Sequence, residues 1–418
     1  MQLARAIDQL IHQLLQVRVS APGQQQLCVP LSPDTDALNW LDAQTCWPQF
    51  YWQARSGEAL MAACGALEQF DSILSATRRL ASLPANWRLP GANRFDGSSF
   101  FFLPALLWQQ DATGQRLMLN LVSDRSLQQE ARRMACWLRA LYPARPAPPL
   151  PYAVTVRQLP DKPGWLRRVN LALAAITAGE LDKVVLARAS DVTLSGPLSA
   201  AALLAASRRI NPRCYHFMLA TGAGQALVGS SPERLYARHG KQLESEALAG
   251  TAGLEQAGLL EDRKNQWENG LVVDDIRQRL AGAVTGLEVM PTELLPLRHL
   301  QHLRRRIRAR LLQPDDADCV ERLQPTAAVA GLPRADALAF IRQQEPFRRD
   351  WYSGSIGYLS QSQSEFSVVL RCARVAGEQV RLYAGAGIVS GSVPEQEWQE
   401  VESKAATLGA LLRVGKRG

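Results

Sequence analysis

At 418 residues the chain has material for one large domain or two to three ordinary ones, with ample core. Its 47% hydrophobic and 21% charged residues exclude a disordered or fibrous class, and no apolar run approaches the roughly 18 residues that span a bilayer. The net charge of +8 suits either a small anionic ligand or nucleic acid.

In chain order, the amphipathic pattern of the N-terminus, MQLARAIDQLIHQLLQVRV, predicts a helix over Leu3–Leu15, since it lacks the continuous apolar stretch of a signal peptide. Strands are expected at Gln49–Gln53, Ser98–Leu103 and Leu117–Val122, and a helix at Leu127–Leu141. Prolines 143, 146, 148, 149, 151, 160 and 163 then mark Tyr142–Gly164 as a semi-rigid connector. It separates an N-terminal α/β region, 1–150, without assigned site residues, from a catalytic region, 151–418. Beyond it, helices are expected at Trp165–Ala178, Ala200–Ile210, Asn265–Leu280, Leu300–Leu312, Arg334–Gln344 and Glu395–Leu412. Strands are expected at Lys183–Ala189, His216–Ala220, Ala226–Ser230, Ser353–Ser360, Phe366–Ala373 and Val380–Gly385. Short consecutive strands joined by turns, as in SGSIGYLSQSQSEFSVVLRCARV, pair antiparallel, so the class is α+β.

Seven cysteines stand singly, without a CxxC pair, and five histidines form no HExxH or HxH pattern. That argues against a disulfide framework and a soft-metal site, and for a cytoplasmic enzyme. The densest basic stretch, RHLQHLRRRIRAR at Arg298–Arg310, carries apolar residues at helical spacing and no interleaved aromatics for base stacking. An amphipathic helix with a solvated arginine face is the expectation there, ahead of a nucleic-acid patch.

The chemistry concentrates near the C-terminus. AGAGIVSGSVPEQEWQEVESK joins a glycine-rich turn to a helix that presents Glu397, Glu400 and Lys404 on one side. Upstream, NQWENGLVVDDIRQRL places Glu268, Val272 and Asp275 on one helical face. Two acidic helices beside an amide-lined turn suit a hard metal and an anionic ligand, because Mg²⁺ takes one or two carboxylates and fills its remaining positions with water and substrate oxygens.

Lys183, among apolar neighbours in LDKVVLAR, is either a base or a strand-edge lysine. Glu233, in GSSPERL, is either a general acid or a helix-turn glutamate. Gly250 and Thr251, in EALAGTAG, read as a turn able to present amides to an anion, or as a plain loop. Arg371, mid-strand in SVVLRCA, calls for a carboxylate partner from protein or ligand. Glu400 and Lys404 have the spacing of a simple helical ion pair.

Taken in order, DKVVLARA, GSSPERL, EALAGT, NQWENGLVVDDI, QHLRRRI, LQPTAAVAGLPR, WYSGSIGYLS and RLYAGAGIVSGSVPEQEWQEVESKA resemble the chorismate-utilising enzyme family from about Pro160 to Leu412. Within it the similarity is greatest to the menaquinone-specific isochorismate synthases. The resemblance implies large antiparallel sheets packed as a sandwich with helices around the outside, and one Mg²⁺. It implies that Lys183 activates a water for attack on ring carbon 2 of chorismate, while Glu233 protonates the departing 4-hydroxyl. Glu268 and Glu400 would bind Mg²⁺, with Glu397 orienting the metal's waters. Gly250, Thr251 and Lys404 would face the ring carboxylate, and His302 would lie near the ring. Tyr352, Arg371 and Gly387 would clasp the enolpyruvyl carboxylate.

Ammonia-using relatives carry an amide side chain where Lys183 stands, and Ala249 replaces the nucleophilic lysine of some aminodeoxychorismate synthases. Ala328 stands where a threonine is expected in salicylate synthases. The resemblance therefore implies isochorismate as the product, with a salicylate synthase or a siderophore-pathway isochorismate synthase as the alternative. Trp267, beside Glu268, is bulkier than the family pattern. A monomer acting on a small molecule, with neither nucleic acid nor membrane as partner, completes the expectation.

Overall fold

The computed structural model describes residues 2–32 and 36–412. Among them are twenty strands and ten α-helices, and the strand pairings are antiparallel. The expected α+β class holds, and its organiser is the long strand Ser99–Asp111. One of its edges pairs with Leu60–Phe70. The other pairs with Leu89–Asn93 at the start and with Gly114–Ser123 at the end.

From this junction the sheet runs out in two arms. One passes from Leu60–Phe70 through Gln49–Gln53, Tyr215–Gly222, Gln225–Ser231, Cys372–Ala376, Gln379–Val389 and Lys183–Leu194 to Ala153–Leu159. The other passes from Leu89–Asn93 through Ser355–Leu359, Gln363–Val368, Arg234–His239 and Gln242–Gly253 to Leu300–Leu311. Both arms cross from the first 150 residues into the remainder of the chain. The proline-rich segment is itself partly structured, since Ala153–Leu159 falls within it.

Two helices position the chemistry. Arg263–Leu280 starts where the Asp262 carboxylate accepts the Asn265 amide, and it packs on Gln242–Gly253 through Val272, Val273 and Ile276. Pro394–Gly409 starts with a proline whose missing N–H costs nothing at a first helical position, and it lies along Gln379–Val389. The two helices thus sit on different arms.

Three local expectations are corrected. Leu300–Leu312, expected as a helix, is the strand Leu300–Leu311. From Arg306 onward, exposed Arg306, Arg308 and Arg310 alternate with buried Ile307, Ala309 and Leu311, a period of two that the coincidental helical spacing of the leucines masked. Its arginines are partnered across neighbouring strands, Arg304 with Glu293 at 2.9 Å and Arg308 with Glu244 at 3.4 Å, so the row is not a free basic face.

Arg371 is not mid-strand. Phe366–Ala373 breaks between strands Gln363–Val368 and Cys372–Ala376, and Arg371 in the gap has φ +47°. EALAGTAG, expected as a turn, lies inside the strand Gln242–Gly253, whose register against Leu300–Leu311 shifts between Leu248 and Thr251. Gly250 sits in that bulge at φ +85°, a conformation glycine adopts without strain. Among the described residues no helix is long and apolar enough to cross a membrane.

Candidate active site

The two arms flank a cleft of about 630 Å³, counting the solvent at its mouth. Glu233, Gly250, Thr251, Glu268, His302, Tyr352, Arg371, Gly387, Glu400 and Lys404 all line it. Lys183 and Glu397 do not reach its surface directly. Lys183 is fully buried and touches the cleft through Glu268, its Nζ lying 3.0 Å from Glu268 Oε1. Glu397 is buried and accepts from Lys264 Nζ at 2.9 Å.

Local backbone shape makes this convergence possible. A Cβ on Gly387 would fall 2.3 Å from Glu268 Oε1 and 3.0 Å from Lys183 Cε, so only a bare α-carbon lets that ion pair fit against the strand. Three non-glycine residues with left-handed backbones, Asp350, Ser353 and Arg371, cluster around Tyr352 and the guanidinium that shares its wall. Strain concentrated in this way is a feature of ligand sites.

The charges fall into pairs with one exception. Lys183 meets Glu268, Lys404 meets Glu400 at 2.6 Å, and Lys264 meets Glu397. The simple helical pair expected for Glu400 and Lys404 is therefore present, and it faces the cleft. Lys404 also donates to the Gly385 carbonyl at 2.9 Å.

Arg371 is the exception. Its guanidinium donates to His302 Nε2 at 3.1 Å and to Thr407 Oγ1 at 3.3 Å, both neutral, and among the described residues no carboxylate pairs with it. Burial, then Arg371 and Lys404, hold the His302 imidazole well below its usual pKa, so the ring is neutral. Because a guanidinium can only donate, Nε2 is the acceptor and the ring proton sits on Nδ1, 2.9 Å from Thr251 Oγ1. His302 thus aims Arg371 without neutralising it.

Glu233 presents the opposite problem, an acid with few partners. It sits at the turn between strands Gln225–Ser231 and Arg234–His239, where Val368 N–H donates to its carbonyl at 3.0 Å. Burial, and then the nearby carboxylate of Glu246, push its pKa up to about 8, against the pull of Lys183, Lys404 and Arg55. It therefore holds its proton at neutral pH. A carboxyl that stays protonated across a cleft from a lysine is the separation that acid–base chemistry on one ring requires.

Among the described residues no three Asp, Glu, His or Cys side chains form a ready metal cage. The donor set nevertheless fits a hard divalent ion. Glu268 and Glu400 present only carboxylate oxygens to the cleft, and against the lowering effect of burial the Lys264 ammonium has its pKa raised by Glu397, then by Glu268 and Glu400. Trp267 is 60% exposed and points away from the cleft lining, so its bulk leaves the Glu268 carboxylate unobstructed.

Several residues here escaped the sequence reading. Lys264, four residues before Glu268 on the same helix, carried a spacing signal, but its main partner Glu397 is remote in sequence. Gly385, where a Cβ would lie 2.7 Å from the Tyr352 hydroxyl, gave no local signal, since Tyr352 is remote in sequence. Arg55 and Glu246 gave no local signal, since their contact spans two regions of the chain.

The family model described as chorismate binding enzyme matches residues 84–413. The isochorismate synthase MenF of Escherichia coli is 47% identical over 427 aligned residues, covering 99% of each chain. The solved structure of the menaquinone-specific isochorismate synthase from Escherichia coli superposes with a TM-score of 0.94 at 46% identity, over 99% of this chain and 100% of that one. At 24% identity, a 2,3-dihydroxybenzoate-specific isochorismate synthase structure from Bacillus anthracis shares the fold, with a TM-score of 0.74 over 90% of this chain. With arms, cleft and paired lysines all in place over a match of this extent, the chain belongs to the chorismate-binding enzyme family.

Proposed function

We propose that the protein is an isochorismate synthase of menaquinone biosynthesis, converting chorismate to isochorismate with Mg²⁺ as cofactor. The observation that carries this reading is Arg371, a guanidinium aimed into the cleft by a neutral histidine and left without a protein anion among the described residues. A cation so placed calls for a ligand carboxylate. Full-length similarity at 46–47% identity to isochorismate synthases supports the reaction class, and the menaquinone-specific enzyme supports the pathway.

The chain's own groups divide the work. Arg371 and Tyr352 hold the enolpyruvyl carboxylate, while Lys404 and the Gly250–Thr251 backbone face the ring carboxylate. Mg²⁺, held by Glu268 and Glu400, would supply further positive charge to that carboxylate. Lys183, as the neutral amine left once its ammonium proton is lost, takes a proton from the water whose oxygen bonds to ring carbon 2. Glu233 gives its proton to the 4-hydroxyl, which leaves as water while the ring double bonds shift. One water enters and one departs, so the product is an isomer. Ala249 and Ala328 line the cleft, so the first position offers no lysine for a covalent route and the second no hydroxyl. Seven unpaired cysteines are compatible with a cytoplasmic setting.

Chromatography of the product formed from chorismate and Mg²⁺ tests the reading. Isochorismate alone is expected, whereas salicylate with pyruvate, or a product formed only with ammonia, overturns it. For the metal, Glu400→Ala is expected to raise the Mg²⁺ concentration for half-maximal activity by about tenfold or more, because even groups supporting a metal ligand matter on that scale. An unchanged Mg²⁺ titration counts against Glu400 as a ligand.

A further inference from the structure

Around Glu233 lies a buried ionic arrangement that the proposed reaction does not use. Arg55 follows the strand Gln49–Gln53 in the first part of the chain, the part expected to supply no site residue. Its Nη1 donates to Glu246 Oε1 at 2.7 Å and its Nη2 to Glu246 Oε2 at 2.9 Å, a two-pronged pair with matched geometry. The same Nη1 donates to the carbonyl of Pro232 at 2.7 Å. Glu246 Oε1 in turn accepts the backbone N–H of Arg234 at 2.6 Å. The residue before Glu233 is thus gripped by the arginine, and the residue after it by the carboxylate. The side chain of Glu246 is 1% exposed, so little solvent screens it.

We infer that Arg55 and Glu246 are positioning residues for Glu233. As a matched ion pair they fix the Pro232–Arg234 turn against the cleft and, through their opposite charges, govern how firmly the Glu233 carboxyl keeps its proton. The inference rests on the reading of Glu233 as the acid. Glu246 on its strand opposes ionisation of Glu233, while Arg55, Lys183, Lys404 and Arg371 favour it from the elements packed around it. A charge on either side of this balance can be deleted separately. A purely structural clamp would respond identically to both deletions, but an electrostatic one responds with opposite signs.

The test is the pH profile of kcat/KM at saturating Mg²⁺ for the full chain and for Glu246→Gln, Arg55→Met and the double variant, each checked for folding by circular dichroism. The wild-type profile is expected to fall as pH rises through about 8, where Glu233 loses its proton. Glu246→Gln removes a like charge, so that limb moves to lower pH by about 1 unit. Arg55→Met leaves Glu246 with Arg304, whose Nη1 lies 3.9 Å from Oε2, as its remaining arginine partner and moves the limb upward, and the double variant returns toward wild type. Arg55→Lys keeps the charge but not the two-pronged grip, so it lowers kcat/KM with the limb near its wild-type position, which also covers an Arg55→Met that does not fold. Limbs unmoved in every folded variant would reduce the pair to a structural role and overturn the inference. A wild-type enzyme without the limb, together with a fully active Glu233→Gln, would instead overturn the acid assignment and with it the clamp.

Discussion

Lys183→Ala is expected to lower kcat by about a hundredfold or more while the fold persists. The lysine is fully buried and makes its ionic contact with Glu268 at 3.0 Å, over the bare α-carbon of Gly387. Removing it deletes the group proposed to accept a proton from the attacking water. Glu268 then loses its counter-charge, but its carboxylate faces the cleft, where water can solvate it. Lys183→Arg separates chemistry from charge. A guanidinium can pair with Glu268 but does not give up its proton to become a neutral base, so this variant is expected to be as impaired as the alanine. Steady-state rates with chorismate, beside circular dichroism spectra, decide the matter. A Lys183→Ala enzyme with wild-type kcat would sink the role, and an active Lys183→Arg would recast the residue as a fixed charge.

Glu233→Gln carries the second large effect, a loss of about 10²–10⁴ in kcat. The amide has nearly the shape of the protonated carboxyl that burial enforces at neutral pH, so packing and substrate contacts change little. What disappears is the proton for the departing hydroxyl. The sign of the pH dependence follows. With the pKa raised to about 8, the active form is the protonated one, so activity persists on the acid side and is lost as pH rises through that value. Any residual activity in the glutamine variant should lack this limb. Retention of the limb would show that another group gives rise to it.

Much of this site was legible in the chain. Glu397, Glu400 and Lys404 lie within eight residues on one helix, and Glu268 lies on another, so their spacing alone placed them on common faces. Strands such as Gln49–Gln53 and the helix Ala200–Ile210 were read to the residue, because local composition decides them, aromatic residues in the first and alanines and leucines in the second. The failures have a common physical cause. In Leu300–Leu311 two periods competed, and cross-strand partners such as Glu244 and Glu293 settled the outcome from a distance. Arg371 has local apolar neighbours that argue for a strand, yet the break that turns it into the cleft is held by remote contacts with His302 and Thr407. Arg55 belongs to the same class. An isolated arginine after a strand looks like any solvated one until its carboxylate, 191 positions away, is placed beside it.

The shared strand Ser99–Asp111 has a practical consequence for anyone who would borrow the chemistry. A fragment beginning near residue 151 would carry Lys183, Glu233, Glu268 and Glu400, the acid, base and metal carboxylates of the proposed reaction. It would also bare the flanks of Tyr215–Gly222 and Ser355–Leu359, which Gln49–Gln53 and Leu89–Asn93 now cover. Naked strand flanks recruit other chains rather than substrate. The catalytic portion is not a transplantable module, and grafting it onto another scaffold requires bringing the first third of the polypeptide along.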